Sequence, residues 1–180
     1  PGDDSPYDFA RLNSLSLLNG LSYAPAVVSS GWLLDGLDDG AWTADNTAFN
    51  LGPADNLTVH AWVCAEFNPT TYGVMTLVSK RQTSDPYTAL GWEFFLVDGR
   101  LGFQIADASG PVNFIASADL RDGGWHQVAV TLNRTATNGL RLYVDGVLVL
   151  TANPTVRPGS LVNSEPLRIG MHPQPGFNGY

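Results

Sequence analysis

Two Asp-Gly pairs, each set between apolar runs, constrain this chain more than any other feature. Asp145-Gly146 joins LRLYV to VLVLT, and Asp98-Gly99 joins EFFLV to RLGFQI. A two-residue type I′ turn needs positive φ at both central positions, which Asp and Gly tolerate at little cost. Each pair therefore predicts a β-hairpin, and two in one chain predict an all-β domain. Composition agrees, since 44% hydrophobic and 14% charged residues with 19 Gly and 12 Pro suit many short strands joined by punctuated turns. No stretch shows a convincing amphipathic helical period.

The strands themselves are legible by alternation. In LTVHAWVCAEF, Leu57, Val59, Ala61, Val63, Ala65 and Phe67 fall on one face, with Thr58, His60, Trp62, Cys64 and Glu66 on the other. In DGGWHQVAVTL, Val128, Val130 and Leu132 oppose Trp125, Gln127, Ala129 and Thr131. Trp62 and Trp125 read as core anchors, because a ring burying roughly 150–250 Å² near a strand start commonly ties a sheet to the core. VMTLVSK, VNFIAS, PLRIG and similar runs bring the count to about ten to twelve strands, too many for one flat sheet and enough for two packed ones. The 180 residues fit one domain. Within it, residues 1–30 form an N-terminal segment packed on or leading into a sandwich of residues 31–180. In that segment SLSLL and LSY flank Asn19-Gly20 as a short hairpin, although Leu12, Leu15 and Leu18 also fit a helical turn.

Charge and motifs narrow the function. A net charge of −8 with Lys80 as the sole lysine argues against nucleic acid, whose backbone is bound by clustered Lys and Arg. No apolar run reaches the ~18 residues of a membrane span, so no membrane insertion is expected, and PGDDSPYDF is not a signal peptide. Cys64, the only cysteine, reads as a small buried apolar residue without a nearby cation to activate it. His60, His126 and His172 have no metal-binding spacing, and no nucleophile elbow or phosphate loop is present.

The order of GWLLDGLDDGAW, LTVHAWV, LVSK, FFLVDGRLGFQI, DGGWHQVAVTLN, LRLYVDGVLVLT and PLRIGMHPQPGFNGY resembles the laminin G-like domains of the concanavalin A-like lectin/glucanase superfamily. The most specific parts are the W-H-x-V-A-V-T strand at 125–131 and the L-Y-V-D-G turn at 142–146. The resemblance covers roughly residues 31–179 and implies an all-β, two-sheet antiparallel jelly-roll sandwich. Glucanases of this superfamily carry closely spaced carboxylates on one strand, and retaining hydrolysis needs two of them about 5–5.5 Å apart. This chain has three Glu, Glu66, Glu93 and Glu165, none paired at that spacing. The expectation is a non-enzyme.

Laminin G-like domains often hold calcium at the sandwich rim, and the resemblance places the matching loop at Asp35–Gly40, with Asp38 and Asp39 as metal ligands. Calcium takes six to eight oxygens, which a glycine-punctuated loop can converge. D-G-x-D-D reads equally well as a solvated hairpin turn. For glycan contacts the candidates are Trp42, Tyr72, Tyr87 and Trp92, aromatics in or beside rim loops whose faces could stack on sugar rings. The leading expectation is a lectin-like recognition or adhesion module for a glycan or surface protein, extracellular or surface-exposed, with calcium as the cofactor. A virion decoration domain acting through protein contacts is the alternative, and a hydrolase or lyase of the same fold the next. Relatives carry a further strand after F-N-G where this sequence stops at Tyr180. An uncovered sheet edge is therefore expected, filled by the 12–23 segment or by a second chain in an oligomer or lattice.

Overall fold

A computed structural model describes residues 5–7, 13–66, 73–82 and 88–173. The described strands are β1 (Ser16–Leu18), β2 (Ser22–Pro25), β3 (Ser30–Leu33), β4 (Gly40–Thr43), β5 (Asn56–Cys64), β6 (Val74–Arg81) and β7 (Gly91–Val97). They continue with β8 (Arg100–Asp107), β9 (Gly110–Asp119), β10 (Trp125–Asn133), β11 (Leu140–Val144), β12 (Val147–Ala152) and β13 (Leu167–Ile169). Seven form one sheet in the order β1-β4-β13-β6-β7-β8-β9, and four form another in the order β12-β11-β10-β5. The hairpin β2-β3 stands apart. The fold is the antiparallel two-sheet sandwich that the sequence predicts. No helix among the described residues is long and apolar enough to cross a membrane.

Both Asp-Gly pairs make the expected turns. Asp98 and Gly99 have φ of 49° and 76° between β7 and β8, and Asp145 and Gly146 have φ of 50° and 77° between β11 and β12. Two other turns do not close hairpins. Asn19 takes positive φ as a turn residue should, but β1 pairs with β4 while β2 pairs with β3, so the chain leaves the sheet at Asn19-Gly20. The Asp35–Gly40 loop likewise joins β3 to β4, which are not partners. Turn chemistry reports a local reversal, whereas strand partners are chosen by packing further away. β1 is the outer strand of the large sheet on this side, drawn from the 12–23 segment.

The core lies between the sheets. Val128, Val130, Leu132, Leu140, Leu142 and Val63 pack against Trp92, Phe94, Leu96, Leu101, Phe103 and Ile105. β7 is buried on both faces, which is why GWEFFLV lacks alternation. Trp62 and Trp125 are not core anchors: they stand 45% and 40% exposed on the outer face of the four-stranded sheet.

One end of the sandwich closes on Lys80, which is fully buried. Its ammonium reaches Asp45 at 3.0 Å and donates to the Asn163 backbone carbonyl at 2.8 Å and side-chain Oδ1 at 3.0 Å. The Asn163 amide nitrogen in turn donates to the carbonyls of Lys80 and Leu90. Gly91 sits beneath this junction with φ of 135°, and a Cβ there would lie 2.2 Å from the Lys80 carbonyl oxygen. Gly91→Ala should therefore cost on the order of 3 kcal/mol or more in urea unfolding. Gly146→Ala, whose added methyl meets open space, should cost about 1–2 kcal/mol from its left-handed backbone alone. Equal losses for the two would refute the close-contact reading of Gly91.

Candidate functional site

The acidic loop sits at the rim, where the Asn19-Gly20 turn meets the connection from β3 to β4. Asp35 Oδ1 accepts from the backbone N–H groups of Leu37 at 2.8 Å, Asp38 at 3.3 Å and Asp39 at 3.4 Å. These bonds hold its carboxyl below the usual range. Asp39 Oδ2 accepts from Asp35 N at 3.2 Å, and Asn19 Nδ2 donates to the Asp38 carbonyl at 2.7 Å. Carboxylate oxygens of Asp35, Asp38 and Asp39 all lie within 4.8 Å of one another. Asp39 is buried, and its Oδ1 has no hydrogen-bond partner among the described residues. Three carboxylates, one of them buried, thus converge here, and hard oxygens of this kind are the donors that calcium takes. Asp35 joins Asp38 and Asp39 because its turn folds it back over them, and its D-G position had signalled only the turn.

Of the aromatic candidates, Trp42 is half-buried on the outer face of the seven-stranded sheet. Residues directly opposite on paired strands share a face, so Ser16, Trp42, Arg168, Ser79, Glu93, Gln104 and Asn113 form one row across all seven strands. Trp92 is a correction. It faces the core at 2% exposure, stacks on Phe103 at a 6.0 Å centroid distance and donates its indole N–H to the Phe49 carbonyl. Its neighbour Gly91 is a strand residue, so Trp92 lies one place inside the sheet and offers no ring to a ligand. Tyr72 and Tyr87 lie outside the described residues.

Glu93, at the middle of that row, is 2% exposed. Its Oε1 accepts from Thr76 Oγ1 at 2.5 Å, while Oε2 lies 3.7 Å from both Arg81 and His172. Burial pushes its carboxyl up to about 6, against the Thr76 bond and the Arg81 charge. Among the described residues no second carboxylate shares the row.

At the other end of the molecule His126 bridges two acids. Its Nδ1 lies 2.8 Å from Asp145 Oδ2 and its Nε2 3.2 Å from Asp122 Oδ1. Asp145 Oδ1 also accepts from Gln127 N, pinning the β11–β12 turn to β10. The Asp145 bond raises the His126 pKa, and His126 together with backbone N–H groups lowers those of Asp122 and Asp145. Cys64 is half-buried with its thiol donating to the Gly123 carbonyl; burial raises its pKa, in keeping with an unreactive thiol.

A laminin G-type family model, described as the concanavalin A-like lectin/glucanases superfamily, matches residues 35–180. This chain belongs to that superfamily. No curated protein sequence matches it. Among solved structures, the binding domain of Paraclostridial Mosquitocidal Protein 1 superposes with a TM-score of 0.78 at 18% identity, over 93% of this chain and 42% of that one. The botulinum neurotoxin serotype G binding domain follows at 0.67 and 14%, over 93% and 40%. The Ruminococcus gnavus sialidase CBM40, bound to α2,6-sialyllactose, reaches 0.54 at 13%, over 71% and 70%. This chain spans less than half the length of the toxin binding domains, and at these identities the likeness is one of fold.

The polar clusters of this superfamily member set the sign of its pH dependence. His126 and Glu93 both have folded pKa values above their unfolded ones, about 6.5 and 4.3. Each contribution is complete below the unfolded value and fades as pH rises through the folded one. Asp122 and Asp145 are shifted down, so their contribution disappears only as pH falls through the acid range. The urea midpoint should therefore be highest near pH 5 and decline toward pH 8. His126→Gln and Glu93→Gln should each flatten part of the decline, and a midpoint that rises over this range would contradict both assignments.

Proposed function

We propose that this sandwich is a non-enzymatic, lectin-like recognition module that works outside the cell or on a surface and binds glycan or protein. The observation that carries the reading is the state of Glu93. It is the one carboxylate in the row that crosses the large sheet, and it is buried and engaged by Thr76, Arg81 and His172. A carboxylate so held serves the sheet, whereas retaining hydrolysis needs a second one about 5–5.5 Å away across the sugar bond. The solved relatives, named as toxin binding domains and a carbohydrate-binding module, support the same reading.

Calcium belongs to this proposal. Asp35, Asp38 and Asp39 would hold it, and the ion would neutralise three clustered carboxylates and tie the β3–β4 connection to the rim. Because a ligand bound only to the native state stabilises it, calcium should raise the melting temperature and EDTA should reverse the rise. Asp39→Asn should abolish the difference. An identical melting curve with and without calcium removes the ion from the proposal.

Recognition is tested on a panel of neutral and acidic glycans with reducing-end release followed in parallel. Binding without release of product is the expected outcome. Steady release of reducing ends that Glu93→Gln abolishes would replace the reading with a hydrolase.

A further inference from the structure

The outer face of the four-stranded sheet carries a second, unassigned surface. β5 and β10 place Trp62 opposite Gln127 and Trp125 opposite Cys64. The two indoles therefore hold diagonal positions on one antiparallel ladder, close enough for large side chains to build one surface. Next along the strands come His60, Ala129, Tyr143 and Leu148, then Thr58, Thr131, Arg141 and Thr151. Four rows spaced two residues apart span roughly 20 Å at about 3.4 Å per residue. None of these positions is Asp or Glu, in a chain with 17 acidic residues and a net charge of −8.

Arg141 adds an independent observation. It is exposed, with neither an ion pair nor a hydrogen bond among the described residues. Among the described residues every other Lys and Arg is held by a carboxylate or a backbone carbonyl. Among the described residues the one uncommitted guanidinium thus shares a sheet face with both exposed strand tryptophans, at positions none of which is Asp or Glu.

We propose that this face binds an acidic oligosaccharide, with sugar rings stacked on Trp62 and Trp125 and a sugar carboxylate held by Arg141. The inference rests on the recognition reading above and names its ligand and its surface. A pyranose has apolar C–H faces for an indole and rim hydroxyls for Gln127, His60 and the threonines. Guanidinium meets carboxylate through two parallel N–H bonds. A protein interface of standard size would want about 800 Å² from each side around an apolar centre, whereas here the apolar strip of Ala129, Tyr143 and Leu148 is narrow and bounded by His60, Gln127 and the threonines. Charge selects the acid: the Asp and Glu side chains near this face, Glu66, Asp122 and Asp145, lie at its Trp125 end, and Arg141 stands at the opposite end, where it can meet an anionic group.

The test is calorimetric titration with sialyllactose and tetragalacturonate as acidic probes and lactose as the neutral one. The acidic probes should bind more tightly than lactose, and the preference should weaken with added salt. Trp62→Ala and Trp125→Ala should each weaken binding at least tenfold, about 1.4 kcal/mol, in protein that still unfolds cooperatively, since each ring is only partly covered. Arg141→Gln should erase the preference for acid and leave lactose unaffected. If the glycan panel gives ligands but these three variants bind as wild type, the face is refuted and the recognition reading stands. If neither acidic probe binds, the ligand assignment falls, and if the whole panel fails the recognition reading falls with it. Loss of a self-association or protein contact in the Trp62/Trp125 double variant, with glycan binding unchanged, would reassign the face to a protein partner.

Discussion

A single buried ammonium, that of Lys80, is the point on which one end of the sandwich closes. Removing such a charge from water costs several kcal/mol, and the cost is offset only where geometry and further hydrogen bonds are good. Here three donors meet three acceptors, one from Asp45 and two from Asn163. The pair then works outward. The Asn163 side-chain amide donates to the Lys80 and Leu90 carbonyls on either side of the β6–β7 connection, and its backbone N–H donates to Asn50 Oδ1. Trp92 reaches Phe49 in the same loop. Segments more than a hundred residues apart are thereby fixed over the open end of the core, and the only lysine in the chain is spent on structure rather than on a ligand.

The two outer faces follow from how the sheets are covered. The centre of the seven-stranded sheet is buried on both sides, so its outward row holds Ser79, Glu93 and Gln104 in a closed polar layer. Partners hold most of this layer, Thr76, Arg81 and His172 around Glu93 and Asn113 on the Gln104 amide, while Ser79 Oγ and Gln104 Oε1 find none among the described residues, and Glu93 shows the cost of burial in its raised pKa. The four-stranded sheet keeps its outer side in water, so the alternation of β5, β10 and β11 is expressed fully there. The same period that fills the core with Val and Leu presents Trp62, Trp125 and Arg141 to solvent.

Much of the fold was legible because its signals are local. Asp98-Gly99 and Asp145-Gly146 specify positive φ within two residues, and the turns form as read. Trp62 and Trp125 face outward, not into the core their size suggested, because the alternation sets both rings opposite the Val and Leu positions that pack inside. Size argued for burial and period argued against it, and period prevailed. Trp92 is harder to place: β7 is buried on both faces, with Phe95 and Val97 beside Glu93 on the outer one, so alternation marks the sides weakly, and its burial and stack on Phe103 set the ring inside.

By itself the sequence determined the strands, the two tight hairpins, the sandwich class and the absence of a closely spaced carboxylate pair, because each depends on neighbours along the chain. Tertiary structure alone decided which strands became partners, sending β3 and β4 to different neighbours and making the Asp35–Gly40 loop a rim connection rather than a hairpin turn. It also brought Asp35 over Asp38 and Asp39, sealed Lys80 against Asp45 and Asn163, and left Arg141 unpaired among the described residues. Those outcomes depend on distances between segments remote in sequence. Periodicity assigns a residue to a face, but only the packed chain says whether that face is covered.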